Sequence, residues 1–206
     1  MILDYIYHSG FAIEAEGVTL IIDYYKDSSE TELNKGIVHD RLLQRPGKLY
    51  VLASHFHPDH FNREVLTWKE QRPDIIYIFS KDILKHHRAQ KEDAIYINKG
   101  EEYEDDMLRI QAFGSTDVGI SFLIHLQGKS IFHAGDLNNW HWSEESTEQE
   151  IRKAEGDFLA EISSGSSSGH RPGNVSRRPP NGKRLHERSP TIHRTNKNYY
   201  ICTHAL

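Results

Sequence analysis

Short apolar segments alternate with turn residues along much of the chain, and this rhythm predicts strands first. Residues 2–7, 11–14 and 18–22 alternate or run apolar, with Gly10 and Glu16-Gly17 as breaks. Residues 49–53 and 75–79 are continuous apolar runs, the pattern of strands buried on both faces. Between them, Val65, Leu66 and Trp68 take helical spacing and predict a helix over 62–71. A short helix over 81–89 and a short strand over 94–97 follow. Residues 107–113, 120–126 and 130–133 predict three more strands, the last two joined by a hairpin at Gln127-Gly128-Lys129. The acidic run 101–106 reads as a solvated loop. Ile151, Ala154, Phe158, Leu159 and Ile162 share one side of a predicted amphipathic helix over 144–162. Strands dominate and helices intervene, so the fold class is α/β or mixed α+β.

From Ser163 the rhythm stops. Ser, Gly and Pro supply 15 of the last 44 residues, the composition of a disordered segment. Charge breaks at the same place. The net charge of −5 divides into −12 for residues 1–162 and +7 for 163–206. We therefore expect a folded domain over 1–162 and a basic, disordered tail over 163–206. An acidic body argues against nucleic acid as a partner. Arg177, Arg178, Lys183 and Arg184 in the tail lack the interleaved aromatics of a single-strand binder. No apolar run approaches the roughly 18 residues of a membrane span. Asp4, without a basic stretch before it, is not the start of a secretory signal. Cys202 is the single cysteine, which excludes an internal disulfide framework and a cysteine-based zinc finger. A cytoplasmic setting follows as the expectation. The 14 histidines make a metal site worth seeking.

One stretch concentrates them. Ser54-His55-Phe56-His57-Pro58-Asp59-His60 directly follows the buried run 49–53. His55 and His57 are two apart, so an extended backbone points both the same way, toward one metal. Asp59 and His60 come after a turn at Pro58 and can face a second. Imidazole with carboxylate suits zinc, manganese or iron. A second apolar strand ends in Ala134-Gly135-Asp136, where Gly135 permits close backbone approach. Asp136 is either a ligand bridging two metals or a strand-end Asx turn. Trp140, His141 and Trp142 either line a pocket or cap the core. His86-His87 reads as a solvated helix face. Asp23 is either a support to the metal site or a turn residue.

The His-x-His-x-Asp-His motif with a later Gly-Asp resembles the metallo-β-lactamase superfamily. The segments 8–13 and 20–23 resemble the first strands of its small metal-dependent hydrolases, which include sugar-phosphate lactonases. The resemblance covers residues 1–162 and implies an αβ/βα sandwich with its C-terminal strands missing. It implies one or two divalent ions, zinc foremost, with manganese or iron as alternatives. His55 and His57 would bind the first ion, Asp59 and His60 the second, and Asp136 would bridge them. It implies hydrolysis of a small ester, lactone or phosphoester by a metal-held hydroxide, with Asp59 orienting the nucleophile. His8 either lies near the site or is hydrogen-bonded at a strand end.

Two departures qualify that picture. The superfamily supplies a further histidine to the first metal, and here the corresponding stretch 113–119 has none. Asp117 either takes its place or forms a turn. The closing strands and last histidine of the family would fall in the tail. Codons compatible with residues 176–189, read one base later, spell a segment with Asp-Pro-Arg like that of related hydrolases. A reading-frame change near Ser163 is therefore expected, and an open shifted frame without such residues in the gene would refute it. The alternative function is a degenerate, non-catalytic metal-binding protein lacking the last ligand.

Overall fold

Two six-stranded sheets carry the fold. The computed structural model describes residues 1–32 and 34–137, positions 149 and 156, and the backbone of 191–194 and 198–202. In the first sheet, β1 (Ile2–Tyr7), β2 (Gly10–Ala15) and β3 (Val18–Ile22) form an antiparallel meander. Then β4 (Lys48–Ala53), β5 (Ile76–Ser80) and β6 (Ile95–Ile97) continue from β3 in parallel. In the second sheet, β7 (Glu102–Glu104), β8 (Leu108–Phe113), β9 (Ser121–Leu126) and β10 (Lys129–His133) run antiparallel. The β9–β10 turn carries positive φ at Gln127 (49°) and Gly128 (73°), as a two-residue hairpin requires.

The burial pattern explains the apolar runs. One face of the first sheet, through Phe11, Leu20, Ile22, Tyr50, Leu52 and Ile78, packs on Ile110, Phe122, Ile124 and Ile131 of the second. Its other face, through Ile21, Val51, Ala53 and Phe79, packs under Tyr24, Val38, Phe61, Val65 and Trp68. Strands β2 to β5 therefore have no polar face to show, and alternation gives way to continuous apolar sequence. In β8 every second residue is buried, because only one face meets this core. The helical elements are short: α1 (Ile37–Asp40), α2 (Lys81–Lys85) and a 3-10 segment, Arg63–Glu70. Among the described residues, no helix is long and apolar enough to cross a membrane.

Several expectations are corrected. The predicted helix over 62–71 is 3-10, capped by the Asn62 side chain accepting from the Glu64 N–H. The predicted helix over 81–89 stops at Lys85, because His87 turns left-handed (φ 55°). Arg88 N–H then donates to Ile83 and His87 N–H to Leu84, a Schellman ending. His86 is therefore not on a helix face, and its ring stacks on Phe56 at 3.8 Å. The acidic run is not all loop. Glu102–Glu104 pairs with β8 as a charged edge strand, with Arg109 bridging to Glu102. Within the tail, β11 (Thr191–Arg194) pairs with β12 (Asn198–Cys202), which runs parallel to β10. Composition hid these two short strands because polar, Pro-rich sequence surrounds them. Gln149 and Gly156 are helical, within the predicted helix over 144–162. Trp140, His141, Trp142 and the rest of the tail lie outside the described residues.

Candidate metal centre

The ends of four strands converge at one rim of the sandwich. Asp23 ends β3, Ser54 to His60 follows β4, Asp117 lies between β8 and β9, and Asp136 follows β10. The loop after β4 folds back at His57, whose carbonyl accepts from the N–H groups of His60 and Phe61. That turn carries Asp59 and His60 away from the line of His55 and His57.

Close packing sets the loop positions. Ile120 N–H donates to the Ser54 carbonyl at 3.0 Å. A Cβ on Gly119 would lie 2.2 Å from that carbonyl, and one on Gly135 would lie 2.9 Å from Ser54 Oγ. Both glycines also have positive φ, so no other residue brings the Asp117 and Asp136 loops this near Ser54 without strain.

Two groups of donors result. His55, His57, Asp117 and Asp136 form one, with donor atoms within 4.8 Å of one another; His8, Asp59 and His60 form the other. Asp136 stands between them. Its Oδ2 is 3.6 Å from His55 Nε2, and its Oδ1 is 3.1 Å from His60 Nε2. His57 Nδ1 is 3.6 Å from Asp117 Oδ2, and Asp59 Oδ2 is 3.7 Å from His8 Nε2 and 3.8 Å from His60 Nε2. Separations of 3.6–3.8 Å exceed the range of a hydrogen bond. They approach the spacing of ligands around a shared ion, about 3.3 Å for donors roughly 2.0 Å from a tetrahedral metal.

A buried network aims the histidines. Asp23, fully buried with φ 50°, accepts from Ser54 N–H and Ser54 Oγ, each at 2.7 Å, and contacts His60 Nδ1 at 2.8 Å and His133 Nε2 at 2.7 Å. Since a carboxylate only accepts, His60 donates from Nδ1 and turns Nε2 toward Asp136, where a cation would displace its proton and take the lone pair. The Ser54 hydroxyl spends its proton on Asp23 and can accept from His55 Nδ1 at 3.0 Å, which frees His55 Nε2 in the same way. His55 Nε2, His60 Nε2 and Asp136 Oδ1 are buried without a hydrogen-bond partner among the described residues. Unpaired buried polar atoms are costly, and three converging on one point fit a cation there.

The electrostatics agree. Burial works against charge on His60, but Asp23 and Asp136 outweigh it and push its pKa up to about 10. Burial alone would raise the carboxyls of Asp23 and Asp136; the facing histidines, His133 and His60 for Asp23 and His60 for Asp136, hold both low instead. His55 is driven down, first by burial and then by His60. Four carboxylates (Asp23, Asp59, Asp117 and Asp136) thus meet at a centre that draws positive charge.

The ligand candidates His55, His57, Asp59, His60 and Asp136 fall within these groups, as do Asp117 and His8, while Asp23 lies beneath them. Sequence reasoning gave no role to Ser54 and His133. The signal was available for His133: alternation along β10 turns it inward, an ionisable group among Phe11 and Phe122.

The profile described as Beta-lactamase superfamily domain matches residues 2–155. The chain belongs to the metallo-β-lactamase superfamily. Its two-sheet sandwich is that of a superfamily member. Among solved structures, it is similar to Igni18, a metallo hydrolase from the archaeon Ignicoccus hospitalis (26% identity, 65% of this chain and 59% of that one, TM-score 0.46). It is also similar to CmlA, a diiron beta-hydroxylase from Streptomyces venezuelae (18%, 68% and 30%, 0.48). A third is YhfI, a metallo-beta-lactamase fold protein from Bacillus subtilis (14%, 61% and 53%, 0.43). The chain spans about three fifths of the length of Igni18. No curated protein matches it.

Proposed function

We propose that this superfamily member is a metal-dependent hydrolase of a small ester, lactone or phosphoester. One observation supports it above the others: the two oxygens of Asp136 face a histidine from each of two donor groups. His55, His57, Asp117 and Asp136 would hold one divalent ion. His8, Asp59 and His60 would hold the second, with the other Asp136 oxygen. Zinc suits the imidazoles, and the carboxylate share of the donors extends the fit to manganese or iron.

When bound, such ions lower the pKa of water to about 7 and stabilise charge developing on a carbonyl or phosphoryl oxygen. The chain's own residues do the rest. His55, and His60 once its Nε2 proton is displaced, would present fixed lone pairs from the buried floor. His57, Asp59 and Asp117, 37–38% exposed, form the mouth through which a small molecule enters. Asp59, between His8 and His60, orients the attacking water and holds its proton at a carboxylate oxygen. Cys202 as the single cysteine supports a cytoplasmic setting.

The first measurement is metal per chain, by elemental analysis of protein purified without added metal. About two equivalents are expected. Asp59→Ala is expected to lower hydrolysis by roughly 10²- to 10⁴-fold. Undiminished hydrolysis in that variant would overturn the mechanism. A folded, metal-free protein would favour the degenerate, non-catalytic alternative.

A further inference from the structure

Two exposed tyrosines stand beside the His8 edge of the centre. Tyr25 meets His8 edge-on with ring centroids 6.2 Å apart, and His8 in turn meets His60 at 6.1 Å. Tyr7 lies 5.9 Å from Tyr25, and Lys26 Nζ sits 3.8 Å above the Tyr7 ring. Among the described residues no carboxylate pairs with Lys26. Tyr7 and Tyr25 are 39% and 38% exposed, so both rings offer surface to solvent. His60 is buried beneath this edge, and Lys26 brings a cation to its outer side.

The segment is held in place. Asp23 and Asp27, on either side of it, are buried. Asp27 accepts from the N–H groups of Ser28, Val38 and His39. The Asn62 side chain donates to the Tyr25 carbonyl at 2.7 Å, and Asn62 N–H donates to the Tyr24 carbonyl at 3.0 Å. Asn62 follows the His60 turn directly, so Tyr25 and Lys26 are fixed to the same loop as the metal donors. A rigid aromatic with an unpaired cation beside it needs little reorganisation to bind a ligand.

We propose that Tyr7, Tyr25 and Lys26 form a specificity rim that selects ring-bearing substrates carrying an oxyanion. Lys26 takes the oxyanion, the ring lies against Tyr25, and Tyr7 holds the ammonium in position. The proposal rests on the hydrolase reading and names the substrate class of that site.

The test is calorimetric binding to the full chain of three probes: phenyl phosphate, inorganic phosphate and benzyl alcohol. Phenyl phosphate is expected to bind more tightly than either of the others. Lys26→Gln should weaken phenyl phosphate about tenfold and leave benzyl alcohol unchanged. Tyr25→Ala should weaken phenyl phosphate by a similar factor and leave inorganic phosphate unchanged. Wild-type affinity for phenyl phosphate in both variants would overturn the rim, as would its failure to bind the parent protein. Metal content of the same samples reads the hydrolase proposal separately. Metal-free protein with both losses keeps the rim and sinks the hydrolase; metal-loaded protein with neither loss does the reverse.

Discussion

Asp23 sits under the whole rim. Its carboxylate gathers donors from the ends of β4 and β10 and from the His60 turn, and it is 0% exposed. Asp23→Asn keeps the shape but puts an amide against donors that need a charged acceptor. Breaking such a buried set costs about 3–5 kcal/mol. Losing the group that aims a ligand histidine costs roughly 10- to 100-fold in metal affinity. We expect both effects, read by urea denaturation and by metal titration; an unchanged metal affinity would free His60 from this dependence. A second carboxylate makes a prediction about pH. Burial opposes the charge of Asp105, but the Tyr50 hydroxyl, the N–H groups of Met107 and Leu108, and Lys48 prevail and lower its pKa from 3.8 to about 2. A carboxyl held low in the folded state adds stability that is complete above its unfolded value. That stability fades as pH falls through its folded value. Asp105→Asn should therefore be less stable than the parent at neutral pH, with the gap closing between about pH 4 and pH 2. Parallel acid-denaturation curves would contradict this.

Elements set how near the donor loops can come. Gly119 is the tightest point, because its φ is 79° and a Cβ would run into the Ser54 carbonyl. Gly119→Ala must push the β8–β9 loop outward, and Asp117 with it. We expect about one equivalent of metal to be lost while His8, Asp59 and His60 keep theirs; full loading in this variant would argue that Asp117 is no ligand. The sequence showed the strands well, since β2 to β5 are buried on both faces and β8 on one, and each state leaves its own period. It showed the 54–60 motif because those donors are neighbours along the chain. It showed less where geometry depends on contacts across the fold. Asp117 reads equally as a ligand or a turn residue until Gly119 is seen against Ser54. Glu102–Glu104 reads as loop because an edge strand has no apolar face to advertise. The left-handed ending at His87 carries no glycine to mark it.

At the scale of the whole molecule, the centre ties the two sheets together. Asp23 and the 54–60 loop belong to the first sheet; Asp117 and Asp136 belong to the second. Ions held between them would bind the folded state only, and at 100 times the dissociation constant each such ligand adds about 2.7 kcal/mol. A chelator should therefore lower Tm, and zinc in excess should restore it; a chelator-insensitive Tm would place no ion across the sheets. The tail was the least legible part, because short strands such as β11 and β12 depend on pairing across the sheet, β12 with β10 and β11 with β12, rather than on local sequence.

Under the proposed reading, Asp136 is a single side chain that would serve two ions. A first ion there would fix its rotamer for a second, yet would also neutralise part of the charge that attracts it. The order of loading would therefore matter, and two ions of the same element would not be equivalent occupants. A cell's supply of metal would then set not only whether this centre fills, but which half-filled form of it accumulates.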